Sequence, residues 1–259
     1  MNKNLKTALL QVDIKWEDAR ANRSIFSKEI EVLSQDIDLI ILPEMFTTGF
    51  SMNAENLAEE NEGPSLQWMR EMAKLKDAAI TGSLIITEKG HYYNRLFFVF
   101  PDGSFQKYDK RHTFTLAKEN ETYTAGKERL IVEYKGWKIC PLICYDLRFP
   151  VFARNTVDYD LLIYVANWPS KRVAAWDALL KARAIENMSF CIGVNRTGTD
   201  GGGYDYTGHT AAYDCLGENL TGENKENPFV TEVVLDWSHL DETRKQLKFL
   251  QDRDAFSLN

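Results

Sequence analysis

Apolar positions along the chain recur with two periods. In Glu17–Ser34 they fall at Ala19, Phe26, Ile30 and Leu33, the spacing of one helix face. Elsewhere short apolar runs are bounded by turn residues, as strands are. Leu5–Val12 opens the series, and Asp38–Leu42 is a short buried strand stopped by Pro43. Ala79–Thr87 and Tyr92–Phe100 are extended; Pro101-Asp102-Gly103 turns the chain, and Ser104–Tyr108 returns as a hairpin partner. Leu130–Tyr134, the turn Lys135-Gly136 and Trp137–Cys144 form a second hairpin-like unit. Leu161–Val165 and Phe190–Asn195 are buried strands. Between them Val173–Asn187 contains neither Gly nor Pro and is rich in helix formers, which predicts a helix. Val230–Leu235 is the last strand and His239–Phe249 the last helix. No repeat, low-complexity tract or Pro/Gly/Ser linker interrupts the order, so residues 1–259 are expected to form one α/β domain. The hairpins are incompatible with a simple parallel βαβ wheel; two packed mixed sheets with helices outside fit better.

Composition narrows the function classes. The chain has 259 residues, 44% of them hydrophobic, enough for a large core. It carries 31 Lys and Arg against 38 Asp and Glu, a formal net charge of -7, which argues against a nucleic-acid partner while leaving room for a local basic pocket. Met1-Asn2-Lys3-Asn4 leads straight into a strand, so no signal peptide is expected, and the longest apolar runs fall far short of a membrane span. Cys140, Cys144, Cys191 and Cys215 show neither zinc-ligand spacing nor a disulfide framework, and the expected setting is the reducing cytoplasm.

Three places carry candidate chemistry. Glu44 follows the apolar strand and Pro43; a carboxylate at the mouth of a buried strand is partly desolvated and suited to general-base work, although a surface turn would also place an acid there. Lys110 lies in the basic run Lys107-Tyr108-Asp109-Lys110-Arg111-His112, where a fixed ammonium would stabilise developing negative charge. Arg111 and His112 compete for that role, and a solvated basic run is the plain alternative. Cys144 ends an apolar strand and begins the polar segment Tyr145-Asp146-Leu147-Arg148-Phe149-Pro150. Such a strand-to-helix turn exposes a side chain, aims backbone N–H groups at one point and favours a thiolate. Cys140 and Cys191 have only apolar surroundings and read as core, and Cys215 has no assigned role. His91, His112, His209 and His239 form no pattern with a cysteine or with metal-ligand spacing, so neither a Cys–His dyad nor a metal is implied; His209 reads as structural.

Taken in order, Leu42-Pro43-Glu44, Tyr108-Asp109-Lys110-Arg111-His112 and Cys144-Tyr145-Asp146-Leu147-Arg148-Phe149-Pro150 resemble the nitrilase superfamily of carbon–nitrogen hydrolases. Tyr93-Asn94-Arg95, Asn167-Trp168-Pro169 and Arg183-Ala184-Ile185-Glu186-Asn187 extend the resemblance over nearly the whole chain. It implies a four-layer αββα sandwich of two mixed sheets flanked by helices, a Glu44-Lys110-Cys144 triad and a homodimer. The residues after the nucleophile, together with Asn195-Arg196-Thr197-Gly198-Thr199-Asp200-Gly201, are similar to bacterial omega-amidases, which hydrolyse the terminal amide of 2-oxoglutaramate and related dicarboxylate monoamides. Many members have a second glutamate between lysine and cysteine. Glu121 is preferred here, because it precedes an aromatic and a Gly-ending turn; Glu119 remains open.

The resemblance implies a thioester mechanism without cofactor or metal: Glu44 takes the thiol proton, and Lys110 with the backbone N–H of Tyr145 holds the oxyanion. Glu121 would orient Lys110 or the amide. Arg148 is the first candidate for the substrate's carboxylate, an ion pair with Asp146 being the alternative, and Arg172 is its competitor. Trp168 is expected at the pocket wall, with Trp176 either there or in the core. Another aliphatic amidase or nitrilase is the rival activity, and a non-catalytic binding protein on the same fold the rival class.

Overall fold

The computed structural model describes residues 3–223 and 225–257; Met1 and Asn2 of the N-terminal reading lie outside them. In chain order the elements are β1 (Leu5–Gln11), α1 (Ala19–Glu31), β2 (Leu39–Ile41), α2 (Ala54–Leu57), α3 (Pro64–Lys76), β3 (Ala79–Glu88), β4 (His91–Val99), β5 (Phe105–Asp109), α4 (Glu119–Thr122), β6 (Val132–Tyr134) and β7 (Trp137–Ile143). There follow α5 (Pro150–Ala153), β8 (Leu161–Ala166), α6 (Val173–Asn187), β9 (Phe190–Asn195), β10 (Thr197–Thr199), β11 (Asp205–Thr207), β12 (Ala211–Tyr213), β13 (Phe229–Leu235) and α7 (Trp237–Leu247). The patterned segments appear within a few residues of their expected bounds. The helix α3, opened by Pro64 at its first turn, and the short strands β10 to β12 add to them.

Two mixed sheets result, ordered β13-β1-β2-β3-β4-β5 and β12-β9-β8-β7-β6, beside a small β10–β11 ribbon. β1, β2 and β3 are mutually parallel, as are β7, β8 and β9, while both expected hairpins pair antiparallel at the edges. Side chains alternate across the first sheet as strand geometry requires. Ala8, Leu10, Ile40, Phe97 and Val99 face outward and pack with Phe26 and Ile30 of α1 and Leu66, Met69 and Ala73 of α3. Leu5, Leu9, Leu39, Ile41, Leu96 and Phe98 face inward, into a core shared with the second sheet. Trp176, Leu180 and Ala184 of α6 and Leu240 of α7 belong to that second cluster. The order is therefore helix, sheet, sheet, helix, the αββα sandwich expected. Gly193 of β9 lets α6 approach closely: a Cβ there would lie 2.4 Å from Leu180 and 2.6 Å from Trp176.

This layering sets up the site. β2 and β5 of one sheet, and β7 and β8 of the other, all release the chain at the same end of the sandwich. Residues just beyond those four strands, Glu44, Lys110, Cys144 and Asn167, converge there. Carboxyl ends of strands are where α/β sheets leave room for a ligand.

Candidate active site

Pro43 has no N–H to continue the β2 ladder, and the chain turns at Met45 (φ 43°), held by Met45 N donating to Ser83 Oγ at 2.8 Å. The turn buries the Glu44 carboxylate completely. Its Oε1 accepts from Lys110 Nζ and from Asn94 Nδ2, each at 2.8 Å, and its Oε2 accepts from the backbone N–H of Asn167 at 2.8 Å. Asn167 Nδ2 donates to the backbone carbonyl of Glu44 at 2.6 Å, so Asn167 grips both ends of the residue.

Lys110 leaves β5 with its ammonium 1% exposed. The neighbouring segment must pass very near: Gly126 N donates to Lys110 O at 2.9 Å, and a Cβ on Gly126 would lie 2.0 Å from Asp109 O, so only glycine fits. Nζ donates to Glu44 Oε1 at 2.8 Å and to both carboxylate oxygens of Glu119 at 2.9 Å. Burial by itself would lower the lysine's pKa; the charges of Glu119 and Glu44 outweigh it and hold the group well above its ordinary value, as an ammonium. Arg111 and His112 are turned elsewhere: Arg111 Nη1 donates to Gly126 O, and His112 Nδ1 meets Asp146 Oδ1 at 2.7 Å.

The second glutamate beside the lysine is Glu119, not Glu121. Glu119 is fully buried, and its Oε2 also accepts from Phe114 N at 2.5 Å while Oε1 accepts from Asn94 Nδ2 at 3.2 Å. Glu121 points to solvent, 63% exposed, with Lys118 as its nearest cation at 3.9 Å. Two residues along a helix rotate a side chain by roughly 200°, so burying one of this pair exposes the other. Burial is the first cause of a raised Glu119 pKa, with Lys110 opposing it and Glu44 adding to it.

Cys144 follows β7 with φ 44°, a left-handed conformation costly for a side chain with a Cβ, and begins a 3-10 turn over Cys144–Arg148. The expected turn is therefore present, but the thiolate expected with it is not favoured. Burial, and next the Glu44 charge, push the Cys144 pKa well up, and Lys110 counters them only in part. Both causes favour the protonated thiol over the thiolate, and the Glu44 carboxylate is one of them. Sγ lies 3.9 Å from Asn167 O. Cys140 and Cys191 are core as read, with burial pushing Cys140 up to about 12. Cys215 is buried, its Sγ 3.9 Å from His239 Nε2. His209 is structural: Nδ1 lies 2.9 Å from Asp177, and its carbonyl accepts from Trp176 Nε1.

Cys144 and Lys110 open into a cavity of about 430 Å³, the size range of small-molecule sites. Phe114, Tyr145, Arg148, Trp168 and Arg172 form part of its wall, as do Phe50, Trp16 and the tip of the β10–β11 ribbon with Asp200 and Tyr204. Arg148 lies over the Trp168 ring at 4.9 Å, and Arg172 over Phe114 at 5.2 Å. Among the described residues neither guanidinium has a carboxylate partner; Asp146, the expected rival for Arg148, is occupied by Tyr108 and His112. Trp176 is core, packed behind Trp168 at a ring distance of 5.5 Å. No cluster of three or more His, Cys, Asp or Glu suited to a metal occurs among the described residues.

Asn94 and Asn167 join the site without having been assigned roles from sequence, and Glu119 joins it as the alternative there to Glu121. Their signal was present: each is a polar residue amid or just beyond an apolar strand or turn, within motifs already noted for resemblance.

The family model described as carbon-nitrogen hydrolase matches residues 6–245. Omega-amidase YafV of Yersinia enterocolitica is 44% identical over 255 residues, spanning 98% of each chain. The 2-oxoglutaramate amidase of Bacillus subtilis (strain 168) is 32% identical over 248 residues, spanning 94% of this chain and 95% of that one. XC1258 of Xanthomonas campestris, a CN-hydrolase superfamily protein solved with an arsenic adduct in its active site, is 44% identical, with a TM-score of 0.96 and 99% of each chain covered. With its Glu44, Lys110 and Cys144 gathered at one end of an αββα sandwich, this chain belongs to the carbon–nitrogen hydrolase family, in the omega-amidase branch of the nitrilase superfamily.

Proposed function

We propose that the protein is an omega-amidase that hydrolyses the terminal amide of a dicarboxylate monoamide such as 2-oxoglutaramate, giving the dicarboxylate and ammonia. The observation that carries this reading is the charge division of the cavity. At the Cys144 end lie two buried carboxylates and one ammonium, a net negative cluster that disfavours a substrate carboxylate but accepts a neutral amide. On the wall stand Arg148 and Arg172, without acidic partners among the described residues, an environment for the carboxylate at the substrate's other end. The names of the relatives agree with that polarity.

In this reading the Cys144 proton passes to Glu44 as sulfur attacks the amide carbon. The oxyanion is held by Lys110 Nζ and the Tyr145 N–H. Glu44 returns the proton to nitrogen, the C–N bond breaks, and ammonia leaves behind a thioester. Glu44 then deprotonates water, which attacks the thioester; the C–S bond breaks, sulfur is reprotonated, and the acid departs. Glu119 fixes the Lys110 ammonium.

Arg148 is assigned to the substrate carboxylate. Losing that charge-assisted hydrogen bond should cost about 1.5–3 kcal/mol, or roughly ten- to a hundred-fold in kcat/KM. Capping the carboxylate as an ester should lower ammonia release by that factor. Arg148→Ala should lose as much on the acid and little more on the ester. Equal native rates on acid and ester would refute carboxylate recognition. Equal losses on both in the variant would transfer the role to Arg172.

We also infer a cytoplasmic homodimer. The four free cysteines support the compartment, and exposed Ile185 of α6 and Leu216, whose neighbour Gly217 packs against Ile185, support a self-association face. Light scattering should give twice the chain mass; a monomer would overturn the assembly.

A further inference from the structure

The nucleophile and the ammonium come from different sheets. Lys110 follows a strand of the first sheet and Cys144 a strand of the second, and among the described residues no β-ladder joins the two sheets. Something other than backbone pairing must set their separation.

We propose that Asp146 is a positioning residue that fixes the Cys144 turn against the segment carrying Lys110. Its carboxylate is fully buried and takes four hydrogen bonds. Oδ2 accepts from Ile143 N at 3.0 Å and from Tyr108 OH at 2.7 Å; Oδ1 accepts from His112 N at 3.0 Å and faces His112 Nδ1 at 2.7 Å. Ile143 immediately precedes Cys144, while Tyr108 and His112 bracket Lys110. One anion therefore ties both segments at the residues flanking their reactive groups. Burial, and next the Asp146 charge, keep the Tyr108 phenol protonated, so it remains a donor. The His112 ring also stacks on Phe149, with centroids 3.7 Å apart and planes 4° apart, and meets Phe152 edge-on, which adds an apolar clamp from the chain just beyond the turn. The left-handed φ of Cys144 needs such over-determination to persist. Asp146 does not line the cavity, so its effect passes through placement alone.

The inference rests on the proposed roles of Cys144 and Lys110, and its test separates the two. Turnover of 2-oxoglutaramate and the pH profile of Cys144 alkylation by iodoacetamide are measured side by side, the second requiring no substrate. A neutral amide cannot accept four donors, so Asp146→Asn should lower kcat by ~10²-fold with KM little changed, as an ångström-scale misplacement would. Its alkylation profile should move away from the native one. Tyr108→Phe should show a smaller loss of the same kind. His112→Asn, whose amide can replace the Nδ1 donor, should retain much of the kcat that His112→Ala loses; this pair decides the matter if Asp146→Asn does not fold. Native kcat and a native alkylation profile in folded Asp146→Asn would overturn the proposal, as would an Asn at 112 performing no better than Ala. Absence of turnover by the native enzyme, with the alkylation shifts as expected, would instead count against the substrate reading alone.

Discussion

Cys144→Ala is expected to abolish amide turnover while leaving the fold in place. A methyl group cannot form the thioester, and no other cysteine reaches the cavity: Cys140, Cys191 and Cys215 are buried elsewhere and do not line it. Removing one sulfur at the end of β7 leaves the Glu44–Lys110–Glu119 cluster with all its mutual hydrogen bonds. Cys140→Ala is the matched control. Cys140 lies four residues earlier, inside strand β7 and the shared core, and its truncation should lose stability while keeping the chemistry. The measurement is ammonia release per folded molecule, with mass spectrometry of the peptide holding residue 144 during turnover. A native-like rate in Cys144→Ala, or an acyl adduct on any other peptide, would sink the mechanism. Because burial and Glu44 hold the thiol protonated, iodoacetamide should react with Cys144 slowly at neutral pH in the native enzyme and faster as pH rises.

Glu44→Gln and Lys110→Met should each cost at least ~10²-fold in kcat, and they should differ in the step affected. Glu44 acts in both half-reactions, so any acyl-enzyme formed by Glu44→Gln should persist and be seen by mass spectrometry. A glutamine also has one acceptor oxygen where the native side chain accepts from Lys110, Asn94 and Asn167 N. Lys110→Met removes oxyanion stabilisation and slows acylation, so no acyl-enzyme should accumulate. It also leaves two adjacent buried carboxylates without their cation, which should cost about 3–5 kcal/mol of stability, so rates must be referred to folded protein. Glu119→Gln should fall between native and Lys110→Met, whereas Glu121→Gln should be near native because that side chain is in solvent. Near-normal turnover in Glu44→Gln, or a Glu121 variant as impaired as its Glu119 counterpart, would contradict the assignments. Lys110→Arg should not rescue, since a larger planar guanidinium cannot direct donors to Glu44 and to both Glu119 oxygens in the same space.

The sequence by itself determined the elements that repeat a local period. Val173–Asn187 and Phe190–Asn195 occur with the bounds their patterns predict, because helix propensity and apolar runs are properties of neighbouring residues. Through its ordered resemblance to the nitrilase superfamily it also pointed to Glu44, Lys110 and Cys144, and so to the family and the class of reaction. What only the tertiary structure decided are the pairings between segments far apart in the chain. Glu119 and Glu121 share a short motif and lie roughly 200° apart around the helix, and Lys110, Asn94 and the Phe114 N–H select which of them is buried. Asp146 and Arg148 sit two residues apart and invite an ion pair, yet Asp146 is claimed by Tyr108 and His112, leaving the arginine to the Trp168 face and the cavity. The upward push on the Cys144 pKa likewise comes from its burial and from the Glu44 charge, neither of which its own turn reveals. Local sequence sets where a polar side chain leaves an element. Burial and charge in the assembled sandwich set what it meets there, because a desolvated ion must find its partners wherever the fold brings them.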